Sequence, residues 1–354
     1  MRNTGNSTLD SYHRKASKKR GILFLLGGLV LVLFVASCFA GSSQLGFVET
    51  WQALFRQGDE ANIRILYSIR LPRIIAALLA GAGLGVSGLI MQTTLRNPLA
   101  SPSTLGVSNA AVFGANIAII VFSQAGYDQG LSSNPYLIAT FSFVFAIGSV
   151  LIILGLARVI RFSPETVILA GIGVGTLFTA LTTLIQYFAV DTTLASAVYW
   201  TFGDLGRATY PGNLLLLVSL VLSLAVFLFQ AKDYNALLSG DDIASSLGVN
   251  LKRVRFLSLL LASFMTAVSI SLLGMIGFLG IIAPHLMKRV IGMDHKYLIP
   301  ATALTGSATL IFADTLARVI LPGTSLPVGA ITAILGVPVF LIIIFRRREG
   351  TSLC

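Results

Sequence analysis

Arg70-Leu-Pro-Arg73, then Ile74-Ile-Ala-Ala-Leu-Leu-Ala-Gly81-Ala-Gly83-Leu-Gly85-Val-Ser87-Gly88-Leu-Ile-Met91, then Arg96-Asn-Pro-Leu-Ala-Ser-Pro-Ser-Thr-Leu-Gly106: this stretch decides the class of the chain. The run from Ile74 to Met91 carries no charge and is long enough to cross a bilayer as a helix. Its small residues are not scattered. Gly81 and Gly85 stand four apart and Gly88 three further on, so one helix face is stripped of side chains and a second helix can approach closely. Both ends are punctuated. Arg70 and Arg73 bracket a proline suited to a helix's first turn. Asn97-Pro98 and Ser101-Pro102 break the chain before a new apolar run opens near Ser103.

Outward from that stretch, the whole chain reads the same way. Hydrophobic residues make up 55% of 354 and charged residues only 11%. Soluble domains carry about a quarter charged residues, so most of this chain faces lipid or other membrane helices. The net charge of +11 does not mark nucleic-acid binding, because the basic residues form no patch on a soluble domain. Two cysteines, Cys38 in an apolar run and Cys354, imply no disulfide framework.

The pattern gives an all-α polytopic membrane protein of about ten spans: 21–40, 73–92, 103–122, 136–157, 164–189, 212–230, 254–273, 277–291 (interrupted by Pro284), 298–320 and 327–345. Residues 1–20 read as a disordered basic tail, 21–346 as one transmembrane domain and 347–354 as a second tail. Val35-Ala-Ser-Cys38 looks like a lipoprotein cleavage box, but the long apolar run suits a retained anchor. Residues 41–72 and 190–211 read as interfacial segments with short helices. Residues 231–253 are the longest polar stretch after the tail. Gly171, Gly173 and Gly175 suggest a second packing face. With the N-terminus inside, all but six of the 25 basic residues fall on the inner side, which favours both termini cytoplasmic. The exceptions are Arg56, Arg64, Arg70, Arg73, Arg207 and Arg318.

Two blocks of residues carry a family resemblance. The first is Arg70-Leu-Pro-Arg73, Gly81 to Gly88, Gln92, Arg96-Asn-Pro-Leu-Ala100, Pro102 and Leu105-Gly106. The second is Gly277-Phe-Leu-Gly280, Pro284-His285, Asp294-His295, Ala313-Asp314, Arg318, Pro327-Val-Gly329, Thr332 and Gly336-Val-Pro-Val-Phe340. In these the chain resembles the permease subunits of ATP-driven importers for ferric siderophores, haem and cobalamin, over nearly everything after residue 45. The resemblance implies a type II ABC importer permease in a prokaryotic inner membrane, spans two to five repeating as seven to ten, and a dimer of two permease copies (identical or homologous). It also implies two ATPase subunits inside, a substrate-binding protein outside, and a metal chelate as cargo. ATP would be used by the partner alone. No lysine follows a glycine here, so the Gly-Lys-Ser/Thr phosphate loop is absent. No cofactor, metal site or catalytic residue is expected. Where the family has Trp-x-x-Gly-Ser-Leu, this chain has Trp200-Thr-Phe-Gly203-Asp204-Leu205.

Residues 240–248 resemble the family element that docks into the ATPase: Gly240, Asp241, Asp242, Ala244, Leu247 and Gly248. From the residues alone, Ser239 suits an N-cap, the two aspartates suit a first turn, Ala244 and Leu247 share a face, and Gly248 suits a stop. By the same resemblance Arg70, Arg73 and Arg318 would dock acidic residues of the binding protein, a task that guanidinium suits. Two rival chemistries are readable. Gly85-Val-Ser87-Gly88 with His285 admits an intramembrane serine protease. Asp314 and Arg318, four apart, admit an ion-coupled transporter.

Overall fold

The structure, a computed structural model, describes residues 4–41, 46–124, 134–160, 163–321 and 324–349. Among these there is no strand, only an isolated bridge between Phe202 and Met275. The helices are α1 (Thr4–Phe39), α2 (Phe47–Leu54), α3 (Glu60–Arg64), α4 (Leu71–Thr94), α5 (Val107–Asn116), α6 (Pro135–Ile160), α7 (Pro164–Tyr187) and α8 (Asp191–Thr201). They continue with α9 (Tyr210–Phe229), α10 (Ala231–Leu237), α11 (Asp241–Ser246), α12 (Leu251–Leu273), α13 (Leu279–Ile291), α14 (His295–Val319) and α15 (Val328–Glu349).

Helix α4 is the axis of the molecule. It packs against α12, α13, α14 and α9, and its residues from Ala76 to Thr94 are buried almost without a break. The glycines make this possible. A Cβ on Gly81 would lie 2.6 Å from the Gly306 carbonyl oxygen of α14, and one on Gly85 would lie 3.1 Å from the Thr302 carbonyl oxygen. A Cβ on Gly88 would collide with the backbone of Gly280 in α13. Gly106, at φ +75°, lies against Gly171 and Gly175 of α7, whereas a Cβ on Gly173 would meet nothing. The second small-residue face is therefore the i, i+4 pair, and Gly173 is on the other side of the helix.

On the outside the side chains are apolar and exposed: Phe24 and Leu25 on α1, Leu169 and Leu184 on α7, Leu214 and Leu222 on α9. Helices that are apolar on every side are stable only in lipid or against another membrane chain. Among the described residues, six helices are long and apolar enough to cross a membrane. The other four expected spans are also helical. The helix at 107–121 and α13 are short, α14 carries His295, Lys296, Asp314 and Arg318, and α15 is apolar from Val328 to Phe345 before Arg346.

Two expectations are corrected. The basic tail is helical from Thr4, continuous with the first span, and Ala16 is buried within it. The second span does not begin at residue 73, although Pro72 does sit in the first turn of α4. One helix runs from Glu60 to Thr94, with a π-helical turn over Ile65–Arg70 just before the proline. That wider turn accommodates a residue without an N–H.

Candidate functional site

The polar stretch after α9 folds into α10 and α11, joined by Leu238, Ser239 and Gly240. Helix α11 starts at Gly240, whose backbone (φ +119°, ψ 157°) suits glycine alone. Ser239 does not cap it. Gly248, at φ +84°, ends it: its N–H donates to Ser245, and the Val249 N–H donates to the Ala244 carbonyl, the bond pair of a Schellman turn. Ala244 is fully buried while Leu247 is 68% exposed, so they do not share a face. Leu247 is already the capping residue (φ −81°, ψ 5°), and the chain has left the helix there. Leu247 and Ile243, four residues back, are both exposed and form an apolar knob on α11.

Asp241 holds α11 in place. Arg255 on α12 reaches both its carboxylate oxygens with one terminal nitrogen, at 2.7 and 2.8 Å, and Arg96 pairs with the same carboxylate from the other side. Arg96 also donates to the Leu237 carbonyl at 3.3 Å. It sits just past the end of α4 at φ +47°, where glycine is favoured. A non-glycine residue there costs on the order of 1 kcal/mol. The side chain explains its presence, since a glycine could not reach Asp241. The hinge between α4 and α5 is thus tied by charge to the exposed helix. A second tie runs through Asn235 of α10. Its Oδ1 accepts from the His295 backbone N–H and ring Nδ1, and its Nδ2 donates to Asp294. Neither Arg96 nor Asn235 stood out in the sequence as a site residue. Beneath them Tyr234 bonds Ser258 at 2.7 Å and Gln230 at 2.9 Å, and burial pushes its phenol pKa up.

Deeper in the molecule the α4–α13 contact carries a polar junction. Pro284 has no N–H to give the Gly280 carbonyl. That carbonyl accepts from Gln92 Nε2 at 3.0 Å instead, and Gln92 Oε1 accepts from Lys288 at 2.7 Å. Beside it a cleft of about 310 Å³ lies between 101–109 and 275–281. Ser101, Ser103, Ser108 and Asn109 face Ile276 and Phe278 across it. Irregular backbone at membrane depth is tolerated where it borders a cavity.

At the opposite end, Arg70, Arg73 and Arg318 come close together, each no more than 7% exposed. Arg73 Nε donates to Asp314 at 2.7 Å and Arg318 Nε to the same carboxylate at 3.0 Å. Arg318 also donates to the Ala40 carbonyl of α1's end, and Arg70 to the Cys38 carbonyl at 2.7 Å. Asp204, the departure from the family pattern, lies 3.9 Å from Arg73. Among the described residues no cluster of His, Cys, Asp or Glu has the makings of a metal site. Ser87 is wholly buried inside α4, and among the described residues its hydroxyl has no partner, which marks a packing serine rather than a nucleophile in a cleft.

A membrane-embedded helical bundle with an exposed helix clamped to its central hinge is the build of a transporter's membrane subunit. Residues 29–346 match the FecCD transport family, and the chain belongs to that family as an ABC importer permease. It is 35% identical over 325 residues to the hemin transport system permease protein HmuU of Yersinia pestis, covering 92% of this chain and 95% of that one. It is 33% identical over 333 residues to the iron(3+)-hydroxamate import system permease protein FhuB of Bacillus subtilis, covering 93% and 84%. A solved inward-facing metal-chelate type ABC transporter superposes with a TM-score of 0.81 at 28% identity, over 92% of this chain and 99% of that one. These likenesses leave no support for the protease and ion-coupled readings.

Proposed function

We propose that this permease moves a ferric siderophore, or a related chelate such as haem or cobalamin, across the inner membrane. Two copies would enclose the path. A separate ATPase would drive it at the end carrying α11, and a binding protein would deliver cargo at the end carrying Arg73. The observation that carries the reading is the Arg96–Asp241–Arg255 clamp. An ATPase moving the Ile243–Leu247 knob would pull on the hinge that opens into the serine-lined cleft, which would form part of the path. Leu247→Asp should leave membrane insertion intact but uncouple ATP hydrolysis from uptake of labelled chelate. Normal coupling in that variant would refute the reading. The charge bias assigns α11 to the cytoplasm. A cysteine at 242, an exposed position, should resist an impermeant label added from outside; rapid labelling there would invert the topology.

The docking role of Arg70, Arg73 and Arg318 belongs to the same proposal. With no partner present they are committed internally, so an acidic lobe would have to draw them from Asp314, Asp204 and Cys38. Truncating Arg70 and Arg73 together should weaken docking of the binding protein, and wild-type docking should weaken as salt rises. Unchanged docking in the double variant would leave these arginines as internal braces only.

A further inference from the structure

A second groove lies on the α11 end of the molecule, apart from the serine-lined cleft and the Arg96–Asp241–Arg255 clamp. It lies between α1 (Ala16, Lys18, Lys19, Ile22), the end of α13 (Val290, Ile291), Asp294 and Tyr297, and encloses about 280 Å³. Lys19 Nζ stands 5.1 Å from the centre of the Tyr297 ring and 3.7 Å from Asp294. Lys296 Nζ stands 5.7 Å from the same ring. Among the described residues neither Lys18 nor Lys296 has an ion pair. Two lysines, Lys18 and Lys19, thus line the groove against one carboxylate, and Lys296 stands near its Tyr297 wall. The other wall is apolar. Ile22 lies one turn deeper along α1 than Lys18, and Val290 is 54% exposed. A cationic rim at the membrane surface over an apolar wall matches a phosphate headgroup with the first carbons of its acyl chains.

We propose that this groove binds an acidic phospholipid, its phosphate against Lys18 and Lys19 and its glycerol and upper acyl carbons along Ile22, Val290 and Ile291. A free anion would satisfy the lysines but leave the apolar wall uncovered. Such a lipid would pin α1 to the α13–α14 turn, where Lys19 and Asp294 already meet. The occupant is set by charge and shape, independently of which chelate is carried.

The test uses the full chain extracted from vesicles of phosphatidylcholine with or without phosphatidylglycerol, with retained lipid counted by native mass spectrometry. Wild-type protein should retain phosphatidylglycerol in preference to phosphatidylcholine. At about 1 kcal/mol per basic residue near a charged surface, Lys18→Gln should lower that preference about fivefold, and Lys18→Gln with Lys19→Gln about 25-fold. Tyr297→Leu removes no charge and should cost less. Lys252→Gln, an exposed lysine outside the groove, should change nothing. Retention equal to wild type in the double-lysine variant, with a normal elution profile, would overturn the proposal. So would displacement of the lipid by millimolar inorganic phosphate, which would mark a site for free anions.

Discussion

Gly88→Leu is expected to leave little or no folded protein, while Gly173→Leu is expected to be nearly silent. Both glycines sit in membrane helices of similar composition, and only the neighbours differ. The side chain at 88 would occupy the space of the Gly280 backbone, and around Gly173 a Cβ meets nothing. Overpacking a buried site costs about 1–3 kcal/mol when neighbouring side chains can give way. Here the obstacle is backbone on both sides, so α4 and α13 would have to separate. That would also pull Gln92 from the Gly280 carbonyl that Pro284 leaves unpaired. The contrast is read by the yield of monodisperse detergent-extracted protein and by its thermal unfolding. Equal behaviour of the two variants would mean the close approach of α4 and α13 is not what stabilises the bundle.

Asp314→Asn should be the most destabilising single change of charge. Asp314 is fully buried and accepts from two guanidinia, Arg73 at 2.7 Å and Arg318 at 3.0 Å. Asparagine keeps the shape but not the charge, and two buried cations lose their counter-ion. Removing one member of a buried ionic group typically costs about 3–5 kcal/mol. Adding Arg318→Gln should recover part of the loss, because the two changes act on one network and do not add. Full wild-type stability in Asp314→Asn would show that water or lipid, not Asp314, compensates these arginines. The pairing also explains why the acid-base pair in α14 is not an ion relay: the carboxylate is held by two fixed cations.

Much of this molecule is legible in its linear order, for a local reason. A membrane span announces itself by a run of apolar residues, and a close helix contact by small residues at i, i+4. Gly248 marked the end of α11, and a left-handed φ there is a demand of the backbone. The clustering of Arg70, Arg73 and Arg318 in chain blocks that resemble one family was equally visible. What no local spacing contains is the identity of a partner far along the chain. Arg73 had no acid nearby in sequence beyond Asp59 and Glu60, yet its counter-ion is Asp314, 241 positions away, with Asp204 beside it. The glycine face of α4 was readable, but not that α14 and α13 would fill it. The α4 hinge was marked by Asn97-Pro98, but its tie to α11 depends on Arg96 and Arg255 converging on Asp241 from two helices. Leu247 was placed with Ala244 by helical periodicity, but Ala244 packs inward while Leu247, the capping residue of a six-residue helix, is exposed. The basic residues of the tail read as disordered by composition, yet that stretch is helical and its Lys19 reaches Asp294. Hydrophobic period and backbone permission are properties of a few neighbouring residues. Charge pairing and helix docking are decided only when distant segments share the same space.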